Sequence, residues 1–335
     1  MSDRSHLTST GLSRRSAARQ LAFAALAACA MVRAQSLPTA AGPIRVLVGF
    51  PAGGTIDVVG RLLADRLKDE LGVPVVVESR AGAGGQLAAQ ALKQAPPDGR
   101  TLMLAPDHTM VVVPLTLKSP GYDVGRDFVP VAQVARYLGA LAVASSTGVK
   151  TVAEYVAWLK ANPSQASVGV PAPGSLQQFS LATIARVAGV PVTAVPYRGS
   201  APLVQDLAAG QIPAGITALG DFLEFNSAGK LRVIATIDSR RAPQLPDVPT
   251  FAEQGMQLDF NFWLGLFAPA GTPQPMVDRI NAAVAKVLAQ AEVRERMTKL
   301  VFEPVTGTPA ALSERIGADT RYWEPIIRAS GWVMQ

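Results

Sequence analysis

The apolar positions that follow Pro43 predict alternating strands and helices. The run IRVLVGF at 44–50 is a short continuous apolar stretch, typical of a buried strand. Residues 56–71 then carry apolar side chains at helical spacing, for example at Ile56, Val59 and Leu63. A strand at 73–77, a helix at 85–94 ended by the turn APPDG, and a strand at 101–105 complete the pattern. This order predicts parallel strands in a doubly wound sheet.

The middle of the chain repeats the same alternation. Thr151 and Glu154 have the spacing of a capping box, which predicts a helix start there and a helix that runs to about residue 161. Further strands are predicted at 167–170, 191–196, 211–217 and 231–237, and further helices at 176–187, 201–209 and 222–228. An apolar run at 260–268 precedes helices at 275–289 and 310–330, and Pro325 should interrupt the second of these helices. Two α/β units predict a ligand cleft between two lobes.

The first 34 residues account for much of the positive net charge of the chain. They hold five Arg and one Asp, so the rest of the chain has 26 basic and 24 acidic side chains and a net charge of +2 rather than +6. No basic block remains that would indicate a nucleic-acid surface. A basic stretch, an apolar stretch from Leu21 to Val32 and the small-residue site Val32-Arg33-Ala34 predict an export signal over 1–34, by the secretory or the twin-arginine route.

Cys29 is the single cysteine of the 335 residues. It lies within the predicted signal, in Leu26-Ala27-Ala28-Cys29, which also fits a lipoprotein cleavage box. With cleavage after Ala34 the exported protein has no cysteine, which excludes disulfides, thiolate catalysis and cysteine metal sites. This favours a bacterial periplasm.

Two glycine-rich loops follow the first two predicted strands. The loop Pro51–Asp57 (PAGGTID) precedes a helix whose first amides lack partners, an arrangement that suits an anion, and Thr55 or Asp57 could cap that helix. The loop Arg80–Gly85 (RAGAGG) occupies the equivalent position after the next strand. Each could be an ordinary tight turn, but together they favour an anion cradle. Their candidate ligand residues are Pro51, Gly53, Gly54, Thr55, Asp57, Arg80, Gly82, Gly84 and Gly85.

Familiar cofactor and catalytic motifs are missing from the sequence. Leu87 stands where a dinucleotide fingerprint needs its third glycine, and no phosphate loop is present, so no cofactor is expected. Neither the HExxH pattern nor the Gly-x-Ser-x-Gly elbow occurs, so no catalytic or metal site is predicted. His108 is the one histidine beyond the leader, and it either lines the cleft or lies in a plain loop.

Six longer segments together resemble the Bordetella uptake gene (Bug) solute-binding proteins, the extracytoplasmic receptors of tripartite tricarboxylate transporters. They are VGFPAGGTIDVVGRLLADRL (48–67), VPVVVESRAGAGGQLAAQALKQAPPDGRTL (73–102), DFVPVAQVAR (127–136), VPYRGSAPLVQDLAAGQI (195–212), AGKLRVIATIDSRRAPQLPDVPTFAEQG (228–255) and LFAPAGTPQPMVDRINAAVAKVLAQAEVRERM (266–297). The resemblance spans nearly all of residues 43–332. It implies a type II periplasmic-binding-protein fold, with two lobes that close on a small carboxylate, and no catalysis.

The resemblance also implies where the ligand binds. The first-lobe loops would hold one carboxylate through backbone amides and water. Selectivity would come from Gly174, Ser175, Tyr197, Arg198, Gly199 and Ser200 of the second lobe. From the residues alone, Arg198 could pair with a carboxylate or be a solvated loop charge. Two positions depart from the family pattern, with Gln178 where His is common and Thr217 where Asp is common, which makes an ammonium group on the ligand less expected.

The combined expectation is a periplasmic receptor that delivers a small carboxylate to transporter membrane subunits. The first lobe is predicted at 43–135 plus 261–335 and the second at 136–260. A monomer is expected. A ligand-presenting module for a membrane sensor kinase, or an exported enzyme that uses His108, are the alternatives.

Overall fold

The computed structural model describes residues 42–258, 260–330 and 332. The predicted export signal and Cys29 lie outside the described residues. In the described part the strands are β1 Ile44–Val48, β2 Val75–Ser79, β3 Thr101–Pro106, β4 Phe128–Tyr137, β5 Gly139–Ala144, β6 Ser167–Val170, β7 Thr193–Pro196, β8 Ala214–Ala218, β9 Leu231–Ile237, β10 Phe262–Pro269 and β11 Phe302–Pro304.

The longer helices cover both faces of the sheets. They are α1 Thr55–Leu71, α2 Gln86–Lys93, α3 Val152–Ala161, α4 Leu176–Ala188, α5 Ser200–Ala208, α6 Leu219–Ser227, α7 Gln274–Ala289, α8 Ala291–Lys299 and α9 Pro309–Ala329. A π-helical turn, His108–Val112, follows β3 directly. The predicted elements therefore form near their expected bounds, while β4, β5, β11, α8 and the π-helical turn were not predicted.

Two separate sheets carry the fold. The first has the strand order β11-β4-β10-β3-β1-β2 and the second has the order β7-β6-β8-β5-β9. The predicted parallel pairing is confirmed for β1 with β2 and with β3, and for β6 with β7 and with β8. Strands β10 and β5 are antiparallel to both of their neighbours, so each sheet is mixed.

The chain crosses between the sheets where one strand leads into another. Leu138 alone separates β4 of the first sheet from β5 of the second, and the chain returns between Ile237 and Phe262. We call the first sheet with its helices the first lobe, and the second sheet with its helices the second lobe. The lobe limits at 135/136 and 260/261 stay predictions.

Apolar clusters on both faces of the second sheet hold that lobe together. Leu141 and Ile216 pack on one face with Tyr155 of α3. On the other face Ala142 packs with Leu203 of α5 and Phe222 of α6. This sandwich fixes the strand ends and loops that face the first lobe.

Two local predictions have clear outcomes. The Thr151 hydroxyl accepts from the amide of Glu154 at 3.1 Å, as predicted, while the Glu154 carboxylate accepts from the amide of Lys150 and not from that of the N-cap Thr151. The predicted interruption at Pro325 is wrong, because α9 continues through it to Ala329. Pro325 is exposed, so water can bond to the carbonyl that loses its helical partner.

Candidate functional site

A cavity of about 60 Å³ lies between the two lobes at the ends of their strands. Loops that follow β1, β3, β6, β7 and β8 contribute to its wall, together with the end of β4 and a residue of β11. The lining residues are Phe50, Pro51, Gly54, Thr55, Ile56, Pro106, Asp107, His108, Tyr137, Pro171, Ala172, Ser175, Gln177, Gly199, Ser200, Ala201, Thr217, Ala218, Asp221 and Phe302. We call this space the central cavity.

The loop after β1 brings the start of α1 to the central cavity. Gly54 is the N-cap and offers no side chain, so the cap comes from elsewhere. The Asp57 carboxylate accepts from the amide of Gly53 at 3.1 Å and from Arg61 at 2.8 Å. Burial acts against these bonds, but the bonds to Arg61 and Gly53 prevail and hold the pKa of Asp57 below its ordinary value. Asp57 thus fixes the loop and does not line the central cavity.

Thr55 of the first lobe is bonded directly to Asp221 of the second. The Thr55 hydroxyl donates to the Asp221 carboxylate, which also accepts from the Thr217 hydroxyl at 3.1 Å. The Ser200 hydroxyl and the Thr55 amide are further donors. Burial raises the pKa of Asp221 to about 6, and these hydrogen bonds only partly oppose that shift. The carboxylate therefore occupies part of the α1 N-terminus that was predicted to hold a ligand anion.

Asp107 and His108 begin the π-helical turn after β3, and both are buried. The Asp107 Oδ1 atom accepts from the His108 amide at 2.7 Å, while its Oδ2 and both ring nitrogens of His108 have no hydrogen-bond partner. Burial raises the pKa of Asp107 to about 8 and lowers that of His108 to about 4. At neutral pH both side chains are thus largely uncharged, and three of their polar atoms are buried without a hydrogen-bond partner.

The second glycine loop packs tightly against the π-helical turn. Ala83 and Gly84 have φ angles of 46° and 64°, in the left-handed region. A Cβ on Gly84 would lie 2.4 Å from His108 Nε2, and one on Gly85 would lie 2.4 Å from Thr109 Oγ1. The Gly84 carbonyl accepts from the Thr109 hydroxyl at 2.8 Å. Close packing therefore accounts for glycine at positions 84 and 85.

This loop lines a second pocket beside the central cavity. The outer pocket has a volume of about 260 Å³ and shares five lining residues with the central cavity, namely Phe50, Pro51, Pro171, Ala172 and Gly199. Gly82 and Gly84 lie on one side of it, and Tyr197 and Arg198 lie on the other. The two predicted glycine loops thus lie at the same sheet edge but face two adjoining spaces.

The start of α4 brings Ser175 to the central cavity. The Ser175 hydroxyl is the N-cap and accepts from the amide of Gln178 at 3.3 Å. The Gln178 side chain in turn accepts from the amide of Gly174 at 2.8 Å. Gly174 is covered from outside, because a Cβ there would lie 2.2 Å from the Trp332 ring. Gln178 and Gly174 therefore shape the turn without lining either pocket.

The residues of the loop before α5 each have different surroundings. The Tyr197 hydroxyl donates to Asp206 at 2.8 Å. Burial, with that bond, raises the pKa of Tyr197 to about 12. Arg198 is exposed at the outer pocket. Gly199 has a φ of 114°, and a Cβ on it would lie 3.0 Å from Pro51 of the first lobe. Gly199 thus allows the lobes to touch.

The predicted ligand residues fall into three groups. Eight line the central cavity, namely Pro51, Gly54, Thr55, His108, Ser175, Gly199, Ser200 and Thr217. Gly82, Gly84, Tyr197 and Arg198 line the outer pocket, and Pro51 and Gly199 border both spaces. Gly53, Asp57, Arg80, Gly85, Gly174 and Gln178 line neither, and Arg80 pairs with Glu78 at 2.7 Å. The ligand role of all of them stays a prediction.

Sequence reasoning missed Asp107, Tyr137, Gln177 and Asp221 among the polar lining residues. No local pattern indicates Asp221, which stands four residues after Thr217 in the first turn of α6 and meets Thr55 from a distant segment. Across the described residues no group of three or more His, Cys, Asp or Glu could hold a metal ion. In the same part of the chain no helix is both long enough and apolar enough to cross a bilayer.

Comparison with known proteins adds a family to this geometry. A sequence model described as "Tripartite tricarboxylate transporter family receptor" matches residues 59–332. Protein BugT of Bordetella pertussis is 33% identical over 304 residues, which is 90% of this chain and 93% of that protein.

Solved structures match over nearly their whole length. One titled "R. palustris Rpa4515 with adipate" has a TM-score of 0.84 at 32% identity and covers 88% of this chain and 99% of that one. The periplasmic binding protein BugD has a TM-score of 0.83 at 28% identity and covers 88% and 99%. MatC from Rhodopseudomonas palustris with bound malate has a TM-score of 0.80 at 30% identity and covers 86% and 99%. The expected periplasmic-binding-protein fold is confirmed by these matches.

Proposed function

The chain belongs to the family of tripartite tricarboxylate transporter receptors, and on that premise we propose that it captures a small carboxylate in the periplasm and delivers it to the membrane subunits of such a transporter. The family and the fold are those of binding proteins. Two structural relatives hold carboxylates, one adipate and the other malate. A receptor of this kind binds its ligand and releases it unchanged.

One observation carries the proposal, namely that residues of both lobes line a small cavity at their strand ends. Ligands favour such positions in α/β proteins because loop amides and helix starts converge there. Ile56 lies in the first turn of α1 and lines the central cavity. The first amides of a helix have no partner within it; the Thr55 amide bonds to Asp221, while the Ile56 amide, with bridging water, is available to a carboxylate. Ligand contacts from both lobes would favour the closed arrangement.

The periplasmic location is part of the proposal. It is supported by the export signal expected at residues 1–34 and by the likeness to the periplasmic binding protein BugD. Fractionation of cells that express the full chain, with detection of the processed protein in the periplasmic fraction, tests this part of the proposal. Retention in the cytoplasm would contradict it.

A thermal-shift screen tests the binding function. The panel contains mono-, di- and tricarboxylates with and without amino and aromatic groups, and a ligand at 100 times its Kd should stabilise the protein by about 2.7 kcal/mol. Gly54→Val places two methyl groups near Ser200 in the central cavity and should abolish the shift. Gly125→Val, at an exposed position of the short helix Val124–Asp127 that lines neither the central cavity nor the outer pocket, is the matched control and should keep it. Absence of any shift across the panel, or conversion of the bound compound, would overturn the proposed function.

A further inference from the structure

A second pocket lies beside the central cavity, where the chain passes between the lobes. Tyr137 and Phe302 line both spaces, and their rings pack together with centroids 4.9 Å apart. Leu138, the single residue between β4 and β5, also lines this pocket, as do residues between 238 and 244 in the returning chain. The pocket has a volume of about 560 Å³, which is within the usual range for small-ligand sites. We call it the hinge pocket, because both passages of the chain between the lobes contribute to its walls.

Positive charge is concentrated in the hinge pocket. The charged residues among its described lining are four Arg and two acids, a net charge of +2, namely Arg136, Arg240, Arg241, Arg294, Asp238 and Glu303. The described residues that line the central cavity include neither Lys nor Arg. The hinge pocket is therefore the side of the Tyr137 and Phe302 wall on which full positive charge is available to an anion.

Two of the four Arg side chains are already paired with acids. Arg136 donates to Glu303 at 2.7 Å, and Arg241 donates to Glu253 at 2.9 Å. The acid Asp238 is also engaged, since its Oδ1 atom accepts from the amide and the hydroxyl of the next residue. These bonds build the frame of the pocket and leave two Arg side chains to be accounted for.

Arg240 and Arg294 are the two cations of the hinge pocket that have no acid of their own. Within the described part of the chain neither side chain has a hydrogen-bond or ion-pair partner. Arg240 follows β9 of the second sheet, whereas Arg294 belongs to α8, which packs on β11 of the first sheet. Each lobe thus contributes one unpaired guanidinium group to the same pocket.

The walls that carry these two Arg residues are held together without using them. The Gln244 side chain, in the returning chain, donates to the Thr298 carbonyl of α8 at 2.7 Å. Val301, which follows α8, packs in one apolar cluster with Ala242 and with side chains of the second sheet. The pocket is therefore formed before any ligand enters, which lowers the entropic cost of binding.

The chemistry of two separate guanidinium groups favours a phosphate group over a carboxylate. A planar carboxylate presents both of its oxygens to one guanidinium fork. A phosphate has oxygens in tetrahedral directions and a charge of about −1.5 to −2 at neutral pH, so it can accept from two forks and neutralise both.

We propose that the hinge pocket is a second binding site, which takes a phosphate group, free or carried by a small molecule, between Arg240 and Arg294. The site is separate from the central cavity and does not depend on which ligand that cavity holds. A phosphate bound there would bridge the two lobes next to the passages of the chain between them.

Titration calorimetry on the Gly54→Val variant tests the inference, because position 54 lines the central cavity and not the hinge pocket. The probes are inorganic phosphate and glycerol 3-phosphate in a fixed sodium chloride background, with succinate for comparison. At least one phosphate probe should bind at a single site with a Kd below about 1 mM, and succinate should not bind to this variant. The tighter of the two phosphate probes distinguishes a free phosphate from a phosphate ester. If Gly54→Val does not fold, the same titrations on the wild-type protein serve. Absence of binding by both phosphate probes would overturn the inference.

The double variant Arg240→Gln with Arg294→Gln assigns the site. It removes both unpaired charges and should weaken binding of the phosphate probe by about tenfold or more, since each exposed charge contact contributes modestly. Arg186→Gln with Arg232→Gln is the matched control, because it removes two exposed Arg charges of the second lobe outside the hinge pocket and should change the Kd by about twofold or less. Equal weakening in both double variants, or unchanged binding in the first, would overturn the inference. Neither result bears on carboxylate capture in the central cavity, which the carboxylate panel tests separately.

Discussion

The Thr55 hydroxyl donates a hydrogen bond across the cleft to the Asp221 carboxylate, so a single side-chain pair bonds the start of α1 to the start of α6. Because the two residues belong to different lobes, this bond exists only when the lobes are together. This hydrogen bond therefore couples the charge state of Asp221, in the central cavity, to the closure of the two lobes.

Thr55→Val should shift the unliganded protein toward an open arrangement. A hydrogen bond to a charged group contributes about 1.5–3 kcal/mol, so the ratio of closed to open molecules should fall by about ten- to a hundredfold. Small-angle X-ray scattering would show a larger radius of gyration for the variant without ligand. Thr116→Val is the matched control, because it loses a buried hydroxyl bond to Val112 within the first lobe and should leave the radius unchanged. Equal radii for wild type and Thr55→Val would contradict the prediction.

The free energy of unfolding should fall as the pH rises from 6.5 to 8. Burial raises the pKa of Asp107 to about 8 in the folded protein, against an ordinary value of 3.8, so in this range the folded state binds the extra proton and loses it as the pH rises. His108 opposes this trend at the lower end of the range, because its pKa is lowered to about 4 in the folded protein while the unfolded chain still loses the His108 proton near pH 6.5, and Asp221, at about 6, titrates mainly below the range. The expected slope is about 1 kcal/mol per pH unit.

Urea denaturation at pH 6.5 and pH 8 in the absence of ligand measures that slope. Asp107→Asn retains the oxygen that accepts from the His108 amide and should remove most of the pH dependence. The neighbouring charges that act on Asp107, from Asp319 and Arg315, remain in both proteins. A wild-type stability that is constant or rises over this range would refute the assignment of Asp107 as a protonated buried acid.

Gly84→Ala should destabilise the fold more than Gly53→Ala. Both positions have a positive φ, so the backbone strain of a Cβ is similar, but only at Gly84 would that Cβ meet His108 Nε2, at 2.4 Å. At Gly53 no heavy atom lies within 4 Å. Overpacking of this kind costs about 1–3 kcal/mol, which is the expected difference in unfolding free energy between the two variants. Thermal denaturation of the pair measures it, and equal losses would show that packing does not require glycine at 84.

Arg198→Ala should change ligand ranking more than carboxylate binding itself. Arg198 is exposed at the outer pocket, beyond the central cavity, so a short ligand does not reach it. We expect about fivefold weaker binding of adipate and little change for succinate, since an exposed charge pair contributes up to about 1 kcal/mol. Titration calorimetry with both compounds gives the ratio. The Lys150→Ala variant, at an exposed position in the same lobe, should leave that ratio as it is in the wild-type protein.

Regular patterns in the sequence predicted the parallel half of each sheet well. The runs at 44–50 and 167–170 contain β-branched apolar residues, and they form parallel strands where expected. Strand β5 was missed because its sequence, GALAVA, is rich in alanine, a residue that favours helices, and only its burial between β8 and β9 makes it a strand. Strand β10 pairs antiparallel with β3, whose residues lie about 160 positions earlier in the chain, so no local sequence pattern indicates this pairing.

The site was predictable where backbone geometry defines it and not where side chains meet from distant segments. The loop containing Gly54 and the N-cap Ser175 were found because turn glycines and capping residues have local signatures. Asp221 has no such signature, because its role depends on Thr55, 166 positions away in sequence. Asp107 was passed over because a lone acid after a strand predicts nothing until its burial is known.

Trp332 joins the lobes in a different way from Thr55. It follows α9, a helix held to the first lobe by the bond from Trp263 to Asp319, yet its ring packs edge-on against Phe179 of α4 with centroids 6.0 Å apart. Any separation of the lobes must either carry this indole along or uncover it to water. The indole thus lies at the boundary between the lobes, and its emission maximum would report any opening or ligand-driven closing of the lobes in solution without a label.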